Sequence, residues 1–315
     1  MRKVLKVTDQ SPSTGSRSYQ GVLSDRPRAD PPEVVATRAE LAESLTRAGD
    51  RRRAVVMTMG ALHAGHAALI DAARDRVGSA GQVLVTVFVN PLQFGPGEDL
   101  ERYPRSFDAD LELCREHGVD VVFAPTVEVM YPNGDPQVSL DSGELGTRYE
   151  GSARPGHFNG VLTVVAKLLN VTKPDFAVFG EKDYQQLTLI RRMVADLDVE
   201  VEVIGVPTVR AEDGLALSSR NKYLTPADRV RALAIPAAIA AGQAAAAAGQ
   251  QGNAIMAAAA AVLAATDGVR PDYVIVTDPA MGPTPVRGQA RIIITALVGG
   301  TRLLDNARVD IGDDI

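Results

Sequence analysis

One segment of this chain would form a strand that is apolar on both faces, residues 83–89 with the sequence VLVTVFV. Such a strand has to be covered on each side, which is typical of a parallel sheet between helices. Shorter apolar runs alternate along the chain with helical patterns. The predicted strands are 54–59, 119–123, 176–179 and 201–204, and the predicted helices are 36–48, 67–77, 106–117, 161–169 and 183–197. This alternation predicts an α/β fold with a Rossmann-like doubly wound parallel sheet.

The composition changes along the chain and predicts three regions. These are a disordered or loosely attached leader (1–33), the Rossmann-like domain (34–208) and a smaller C-terminal α+β lid domain (209–315). Residues 131–160 are rich in Gly, Pro, Asp and Ser and predict a long loop. The Ala-rich stretch 226–266 predicts two packing helices separated near 249–253, followed by strands at 272–277 and 291–298.

The bulk composition argues against several kinds of protein. The net charge is −6 and no broad basic stripe is present, so we expect no nucleic-acid partner. Cys114 is the only cysteine, which excludes an internal disulfide and a cysteine-rich metal site. We find no apolar run of signal-peptide length and none that approaches the length of a membrane span. A cytoplasmic protein without a membrane partner is therefore expected.

Polar clusters follow three of the predicted strands, and a fourth lies in the C-terminal region. The clusters are Met59–His66, Asn90–Gly95, Gly180–Gln186 and Leu217–Asn221. In an open parallel sheet the carboxyl ends of the strands share one edge, where ligands bind. We therefore expect these segments, which are far apart in sequence, to meet at one pocket.

The first cluster contains His63 and His66 at a predicted junction between a strand and a helix. A helix N-terminus favours phosphate, and two histidines could donate hydrogen bonds to its oxygens. Gly60 and Gly65 would permit close approach of the backbone. The same pattern also fits a structural histidine pair that caps a turn. A metal pair is a third interpretation, although no third ligand lies nearby in the sequence.

The second and third clusters offer amides and a lysine. Lys182, flanked by Glu181 and Asp183, could hold triphosphate oxygens as a point charge, or could be an ordinary solvated lysine. Either Gln185 or Gln186 could bind a hydroxy acid through its amide, or both could belong to an ordinary first helical turn. Asn90 and Gln93 suit a small substrate with hydroxyl and carboxylate groups, while turn chemistry also explains Asn90.

The remaining polar segments are weaker signals. Ser218, Ser219 and Arg220 could form a mobile phosphate clamp, or a helix N-cap followed by a surface arginine. The segment 154–160, with the sequence RPGHFNG, could form a lid or a wall of the substrate site. Neither the P-loop pattern nor G-x-G-x-x-G occurs, so any bound ATP would be held in another way.

Together, the strings H-x-G-H, V-N-P-x-Q-F-G, F-G-E-K-D-Y-Q-Q, V-P-T-V-R and S-S-R-N resemble those of the pantoate–β-alanine ligase family. The resemblance spans roughly residues 34–312. It implies that ATP and (R)-pantoate form pantoyl adenylate and pyrophosphate, and that β-alanine then displaces AMP to give pantothenate. It also implies Mg²⁺ with ATP, a Rossmann-type domain and a homodimer.

The resemblance also implies roles for particular residues. His66, His63 and Lys182 would be catalytic, with His66 as a proton donor, and Gln93, Gln186 and Asn90 would bind substrate. The ATP site would comprise Met59, Gly60, His63, Gly65, His66, Gly180, Glu181, Lys182, Asp183, Val209, Leu217, Ser218, Ser219 and Arg220. No residue is assigned as a metal ligand.

Two positions and one short stretch depart from the family pattern. Met57 stands where proline is usual and is expected to loosen the strand exit, and Leu217 replaces a more usual methionine. The stretch 108–110 is less acidic than in some relatives. Two other functions stay open from the residues alone: another adenylating or nucleotidyl-transferring enzyme of similar architecture, and a non-catalytic nucleotide sensor.

Overall fold

The computed structural model describes residues 30–312, so most of the predicted leader lies outside the described part of the chain. Its larger sheet consists of β1 (Glu33–Val35), β2 (Arg53–Thr58), β3 (Gln82–Val87), β4 (Val121–Phe123), β5 (Phe176–Gly180) and β6 (Glu202–Val206). The strand order is β1-β4-β3-β2-β5-β6, and every neighbouring pair is parallel. The predicted Rossmann-like α/β class is confirmed.

Helices cover both faces of this sheet. They are α1 (Arg38–Ala48), α2 (Ala64–Val77), α3 (Phe107–Glu116), α4 (Val127–Met130), α5 (Glu150–Ala153), α6 (His157–Thr172) and α7 (Tyr184–Asp196). Leu84 of β3 packs into one apolar cluster, while Val83 and Val85 pack into another. All three side chains have no exposed surface. The strand is therefore buried on both faces, as its apolar residues on both faces predict.

A second, antiparallel sheet follows. It has the order β7 (Val269–Thr277), β8 (Gly288–Val298) and β9 (Thr301–Ile311). The helices before it are α8 (Pro226–Ala232), α9 (Ala234–Ala247) and α10 (Gly252–Ala264). Ile235 of α9 and Ile255 of α10 share a buried cluster with Ile292 of β8. The expected combination of helices and a small sheet is confirmed.

Several elements differ from the sequence prediction. Strands β1 and β9 were not predicted, and α6 begins at His157 within the predicted loop rather than at 161. That loop also contains α5 and a 3-10 turn at Glu144–Thr147. The Ala-rich stretch forms three helices instead of two. Pro236 has no N–H to donate to the Ala232 carbonyl and its ring would clash with that residue, so the helix is interrupted at Leu233.

One prediction about apolar length was wrong. The helical stretch Pro226–Ala247 has 22 residues and a mean hydropathy of 1.4, which is enough by length and composition to cross a membrane. Part of it packs inside the protein, where Ile235, Ala238 and Ile239 are buried. Buried core helices meet the same criterion, so this stretch is weak support for a membrane span.

Candidate active site

The carboxyl edge of the parallel sheet borders a cavity of about 240 Å³. Its lining includes these predicted residues: Met59, His63, Gly65, His66, Asn90, Gln93, Gly180, Lys182, Asp183, Gln186, Val209, Leu217, Ser218, Ser219 and Arg220. Gly60 and Glu181 are predicted site residues that do not line it. Segments from all four sequence clusters therefore meet at one place.

The turn after β2, residues 59–66, is called the histidine turn below. Gly60 and Ala61 both have left-handed backbone conformations, with φ angles of 84° and 51°. The Asp110 carboxylate of α3 accepts hydrogen bonds from the backbone N–H groups of Ala61 at 3.0 Å and Leu62 at 2.8 Å. Asp110 is 2% exposed. A buried carboxylate thus stabilises the unusual backbone of this turn, and Gly60 shapes it without reaching the cavity.

The two histidines cap helix α2 with their Nδ1 atoms. His63 Nδ1 accepts from the Gly65 N–H at 3.1 Å, and His66 Nδ1 accepts from the His63 N–H at 3.2 Å. The predicted capping interpretation is therefore correct for these atoms. Because each Nδ1 is an acceptor, the proton of each neutral ring has to be on Nε2. Each ring can still donate an Nε2–H hydrogen bond.

The surroundings keep both rings uncharged. Removal from water, followed by the charges of Lys182 and Lys222, lowers the pKa of His63 to about 4. Removal from water, followed by the proximity of His63, lowers the pKa of His66 to about 3. The ring centroids are 4.2 Å apart, so two positive charges would repel each other strongly. Before any ligand binds, the histidine turn presents neutral donors.

A second turn, residues 180–183, is called the lysine turn below. It leaves β5 and forms a 3-10 turn that leads directly into α7. The Lys182 ammonium lies 3.6 Å from the Asp183 carboxylate, and its side chain is 21% exposed. It lines the cavity together with the histidines. The Glu181 carboxylate instead contacts Arg291 of β8 at 2.9 Å, which explains why Glu181 does not line the cavity.

The amide of Gln93 lies on another wall, and its neighbours orient it. Asn90 Nδ2 donates to Gln93 Oε1 and to the Gly160 carbonyl, both at 3.2 Å. Asn90 Oδ1 accepts from the Tyr131 hydroxyl at 2.8 Å. Asn90 is 1% exposed, and protein partners occupy its polar atoms. A Cβ atom on Gly160 would lie 2.1 Å from the Leu92 carbonyl oxygen, so glycine is required there.

The predicted wall segment 154–160 contacts Gln93 through its backbone. His157 Nδ1 lies 2.8 Å from the Gln93 carbonyl oxygen, and Arg154 Nη1 lies 3.0 Å from His157 Nε2. Because the guanidinium can only donate, His157 Nε2 accepts and Nδ1–H donates. Removal from water and the charge of Arg154 lower the pKa of His157 to about 4. Arg154 also pairs with Glu98.

The C-terminal segment 209–220 is called the lid segment below. The Leu217 N–H donates to the Val209 carbonyl at 2.9 Å, which holds the two ends of a short loop together. Ser218 caps a 3-10 turn by accepting from the Arg220 N–H at 3.3 Å. Arg220 pairs with Asp99 at 3.2 Å and lines the cavity, so it is not a free surface arginine.

A larger cavity of about 760 Å³ adjoins the first, and Asp183, Gln186 and Arg220 line both. The two adjacent glutamines face different surroundings. Gln185 is buried, donates to the Leu145 and Arg148 carbonyls and accepts from the Glu150 N–H. Its amide is fully used within the protein. Both glutamines line the larger cavity, but only Gln186 lines both cavities, and its amide is the one of the pair that we expect to bind a ligand.

A family model described as Pantoate-beta-alanine ligase matches residues 33–308 of this chain. The chain belongs to the pantoate–β-alanine ligase family. A pantothenate synthetase of Salinispora arenicola is 58% identical over 283 residues, which is 89% of this chain and 98% of that protein. A second relative, the pantothenate synthetase of Streptomyces coelicolor, is 62% identical over 67% of this chain and 62% of its own length.

Solved structures of this ligase family have the same fold. Pantothenate synthetase from Thermus thermophilus superposes with a TM-score of 0.81 and 47% identity, covering 87% of this chain and 98% of that one. The Francisella tularensis pantoate–β-alanine ligase, solved with β-γ ATP and β-alanine, gives a TM-score of 0.72 at 32% identity. That match covers 88% of this chain and 97% of the other.

Some residues that shape this ligase site were not predicted from the sequence. Asp110 supports the histidine turn, whereas the sequence comparison indicates only that the stretch 108–110 is less acidic than in some relatives. Its position four residues before buried Cys114 on α3 was an available signal of an inward-facing carboxylate. Met57, which stands where the family usually has proline, lines the cavity. Strand β2 nevertheless pairs with β3 through Thr58, one residue beyond Met57.

Proposed function

We propose that this protein joins (R)-pantoate to β-alanine with ATP, forming pantothenate, AMP and pyrophosphate through a pantoyl adenylate. The observation that carries the proposal is the meeting of His63, His66 and Lys182 with Gln93 and Gln186 around one cavity. These donors suit a triphosphate beside a small hydroxy acid. Family membership and the ATP and β-alanine complex of the Francisella relative support the same reaction.

In the first step, a pantoate carboxylate oxygen attacks the α-phosphorus of ATP. The bond from that phosphorus to the bridging oxygen breaks, and pyrophosphate leaves. The substrate supplies the nucleophile, so the protein's contribution is alignment and stabilisation of charge. Alignment contributes up to about 7–11 kcal/mol in favourable cases, and one donor aimed at developing charge about 3–4 kcal/mol.

The catalytic roles follow from the charges of the side chains. Lys182 supplies the fixed positive charge for the phosphate oxygens. His63 and His66 donate neutral Nε2–H hydrogen bonds to the oxygens on which negative charge increases. A neutral donor needs no protonation step before ATP binds, since the capping bonds already fix its tautomer. Met59, Gly65, Gly180 and Asp183 complete the nucleotide wall.

Pantoate is assigned to the side of the cavity that Gln93 and Gln186 line. Helix α6 adds the apolar side chains of Val161, Val164 and Leu168 to this wall, which suits the branched carbon of pantoate. We assign Asn90 to orienting Gln93 rather than to direct contact, because its own polar atoms are already bonded.

The second step requires access for β-alanine while the adenylate stays bound. The adjoining larger cavity provides a route past Gln186 and Arg220. The amine attacks the acyl carbon, loses a proton, and the bond to the AMP oxygen breaks. We assign Val209, Leu217, Ser218, Ser219 and Arg220 of the lid segment to covering the nucleotide during both steps.

Mg²⁺ is proposed to arrive with ATP. Among residues 30–312, no group of three or more His, Cys, Asp or Glu side chains could hold a metal ion. Mg²⁺ usually keeps several waters and binds phosphates together with one or two carboxylates. Asp183, at the border of both cavities, could supply one carboxylate ligand. The ion would neutralise charge on the departing pyrophosphate.

We further propose that the protein is a cytoplasmic homodimer that binds neither nucleic acid nor membrane. The net charge of −6 and the burial of Ile235 and Ile239 in its long apolar helix support the last two points. Sedimentation at several concentrations tests the dimer. We retain residues 34–208 and 209–315 as the proposed division into domains.

The deciding experiment measures AMP and pantothenate with purified protein. Product should form only when ATP, Mg²⁺, pantoate and β-alanine are all present, and no AMP at saturating substrate would refute the proposal. Pyrophosphate exchange with a panel of carboxylic acids tests whether another acid is preferred. Calorimetry that detects ATP and pantoate binding without turnover would instead identify a sensor.

A further inference from the structure

A buried asparagine of the antiparallel sheet contacts the lysine turn directly. Asn306 lies in β9 and is 2% exposed. Its Nδ2 donates to the carbonyl oxygens of Glu181 at 3.0 Å and Lys182 at 2.8 Å. Its Oδ1 accepts from Arg291 Nη1 at 2.5 Å. The arginine on one side and the carbonyls on the other fix the orientation of this amide, because the arginine can only donate and the carbonyls can only accept.

Arg291 of β8 holds the same turn by a second route. Its Nη2 donates to the Glu181 carboxylate at 2.9 Å, and its guanidinium lies 3.7 Å from the centre of the Tyr184 ring. The Arg291 side chain is 13% exposed. The backbone and the Glu181 side chain of the lysine turn, and the first residue of α7 that follows it, therefore all contact one asparagine–arginine pair. None of these contacts involves the larger, parallel sheet.

We infer that Asn306 is a positioning residue for Lys182. A lysine ammonium sits on a flexible stem, so its position above the phosphates depends on a fixed backbone turn. Asn306 fixes two consecutive carbonyls of that turn. Adenylate formation, in which Lys182 acts on the triphosphate, therefore depends on a contact from the other sheet. This inference rests on the proposed function of Lys182.

The test is Asn306→Asp, which keeps the size of the side chain and the acceptor for Arg291. It replaces the donor with an oxygen that faces two carbonyl oxygens. The rate of ATP–pyrophosphate exchange with pantoate should fall about tenfold or more, the equivalent of about 1.4 kcal/mol or more in the barrier. Formation of pantothenate from supplied pantoyl adenylate and β-alanine should change by less than about twofold.

A kinetic cycle separates positioning from general damage. In a Lys182→Ala background, Asn306→Asp should lower the exchange rate by less than about twofold, because the group that it positions is already gone. Multiplicative losses in the double variant would overturn the inference. The matched control is Asn170→Asp, an exposed amide on α6 that donates to the Ala166 carbonyl, and it should leave both half-reactions unchanged.

A structural measurement tests, without relying on turnover, whether Asn306 holds the backbone of the lysine turn. Hydrogen exchange followed by mass spectrometry should show faster exchange of the peptide that covers residues 180–184 in Asn306→Asp than in the wild-type protein. Asn306→Ala, which adds no charge, replaces the aspartate variant if the latter does not fold.

The possible failures are distinguishable. The positioning role alone is overturned if the wild type is active and Asn306→Asp changes neither the rate of ATP–pyrophosphate exchange nor the hydrogen exchange of residues 180–184. A wild type that forms no adenylate overturns the proposed function.

Discussion

The histidine turn and the lysine turn border the same cavity but are held in different ways. The histidine turn caps its own helix and is anchored by Asp110 of α3, a helix that packs on the parallel sheet. The lysine turn carries a permanent charge and is anchored by Asn306 and Arg291, which belong to the antiparallel sheet. One half of the proposed phosphate site is therefore built locally, and the other depends on docking between the two sheets.

This difference suggests how the two halves respond to change. A defect near α3 should disturb neutral hydrogen-bond donors and leave the lysine in place. A defect in β8 or β9 should disturb the positive charge and leave the histidines in place. The following experiments test whether the two turns can be perturbed separately.

The largest expected effect comes from removing the catalytic groups themselves. His66→Ala and Lys182→Ala should each lower the rate of adenylate formation by about 100- to 1000-fold, because each removes a group aimed at developing charge. Pyrophosphate exchange measures the rate, and urea unfolding should show a much smaller effect on stability, with about 0.5–2 kcal/mol lost in His66→Ala because a helix cap is removed. Lys222→Ala is the matched control, since Lys222 lies near His63 without lining the cavity. If either variant kept the wild-type rate of pyrophosphate exchange, the role assigned to the substituted residue would be refuted.

The anchor of the histidine turn should have a smaller effect on rate and a clear effect on stability. Asp110→Asn replaces one acceptor with a donor opposite backbone N–H groups. We expect the free energy of unfolding to fall by about 1–3 kcal/mol. The rate of ATP–pyrophosphate exchange should fall about tenfold, the equivalent of about 1.4 kcal/mol in the activation barrier. If hydrogen exchange at residues 180–184 also accelerates, the two turns are not independent and the comparison fails.

Acid should destabilise the protein through its neutral histidines. The pKa values of His63 and His66 are about 4 and about 3 in the folded state, below an unfolded value of about 6.5. Between these values the unfolded chain binds more protons, so the free energy of unfolding falls as the pH decreases below about 6.5. Urea unfolding at several pH values measures this slope. A His63→Gln/His66→Gln variant should show a shallower one, and equal slopes would contradict the assignment.

The smallest expected effect is that of pH on the reaction with ATP. Because the free enzyme already has both histidines neutral, kcat/KM for ATP should show no histidine inflection between about pH 5.5 and pH 8. Initial rates at low ATP concentration measure this profile. A fall in kcat/KM centred near the ordinary histidine pKa, and absent in His66→Gln, would mean that the ring titrates in the working range.

The parallel sheet could be predicted from sequence because its strands have a simple signature. Residues 83–89 are apolar except for Thr86, and a strand that is buried on both faces needs such a nearly continuous apolar sequence. Strand β9 gave no such signal, since Asp305 and Asn306 are residue types that strands usually disfavour. Both are nonetheless buried, where Arg210 and Arg291 satisfy their polar atoms. A polar residue that is satisfied by a distant partner cannot be recognised from its neighbours in sequence.

The site could be predicted only in part for the same reason. Local strings identified His63, His66 and Lys182, but the atoms that each ring uses depend on the backbone around it. The sequence alone left capping and phosphate binding as alternative interpretations of the histidines. In the folded chain Nδ1 caps the helix and Nε2 remains available for a ligand, so the two interpretations are compatible. The supporting roles of Asp110 and Asn306 depend on contacts across 48 to 125 positions of sequence.

The contact between Asn306 and the lysine turn has a consequence for biosynthesis. A ribosome has to release the chain through β9 before the carbonyls of Glu181 and Lys182 can find their partner. The parallel sheet could form earlier, because all of its strands precede residue 207. A nascent chain at that stage would already have its histidines in place, whereas Lys182 would lack the contact that positions its turn until the last strand had been translated.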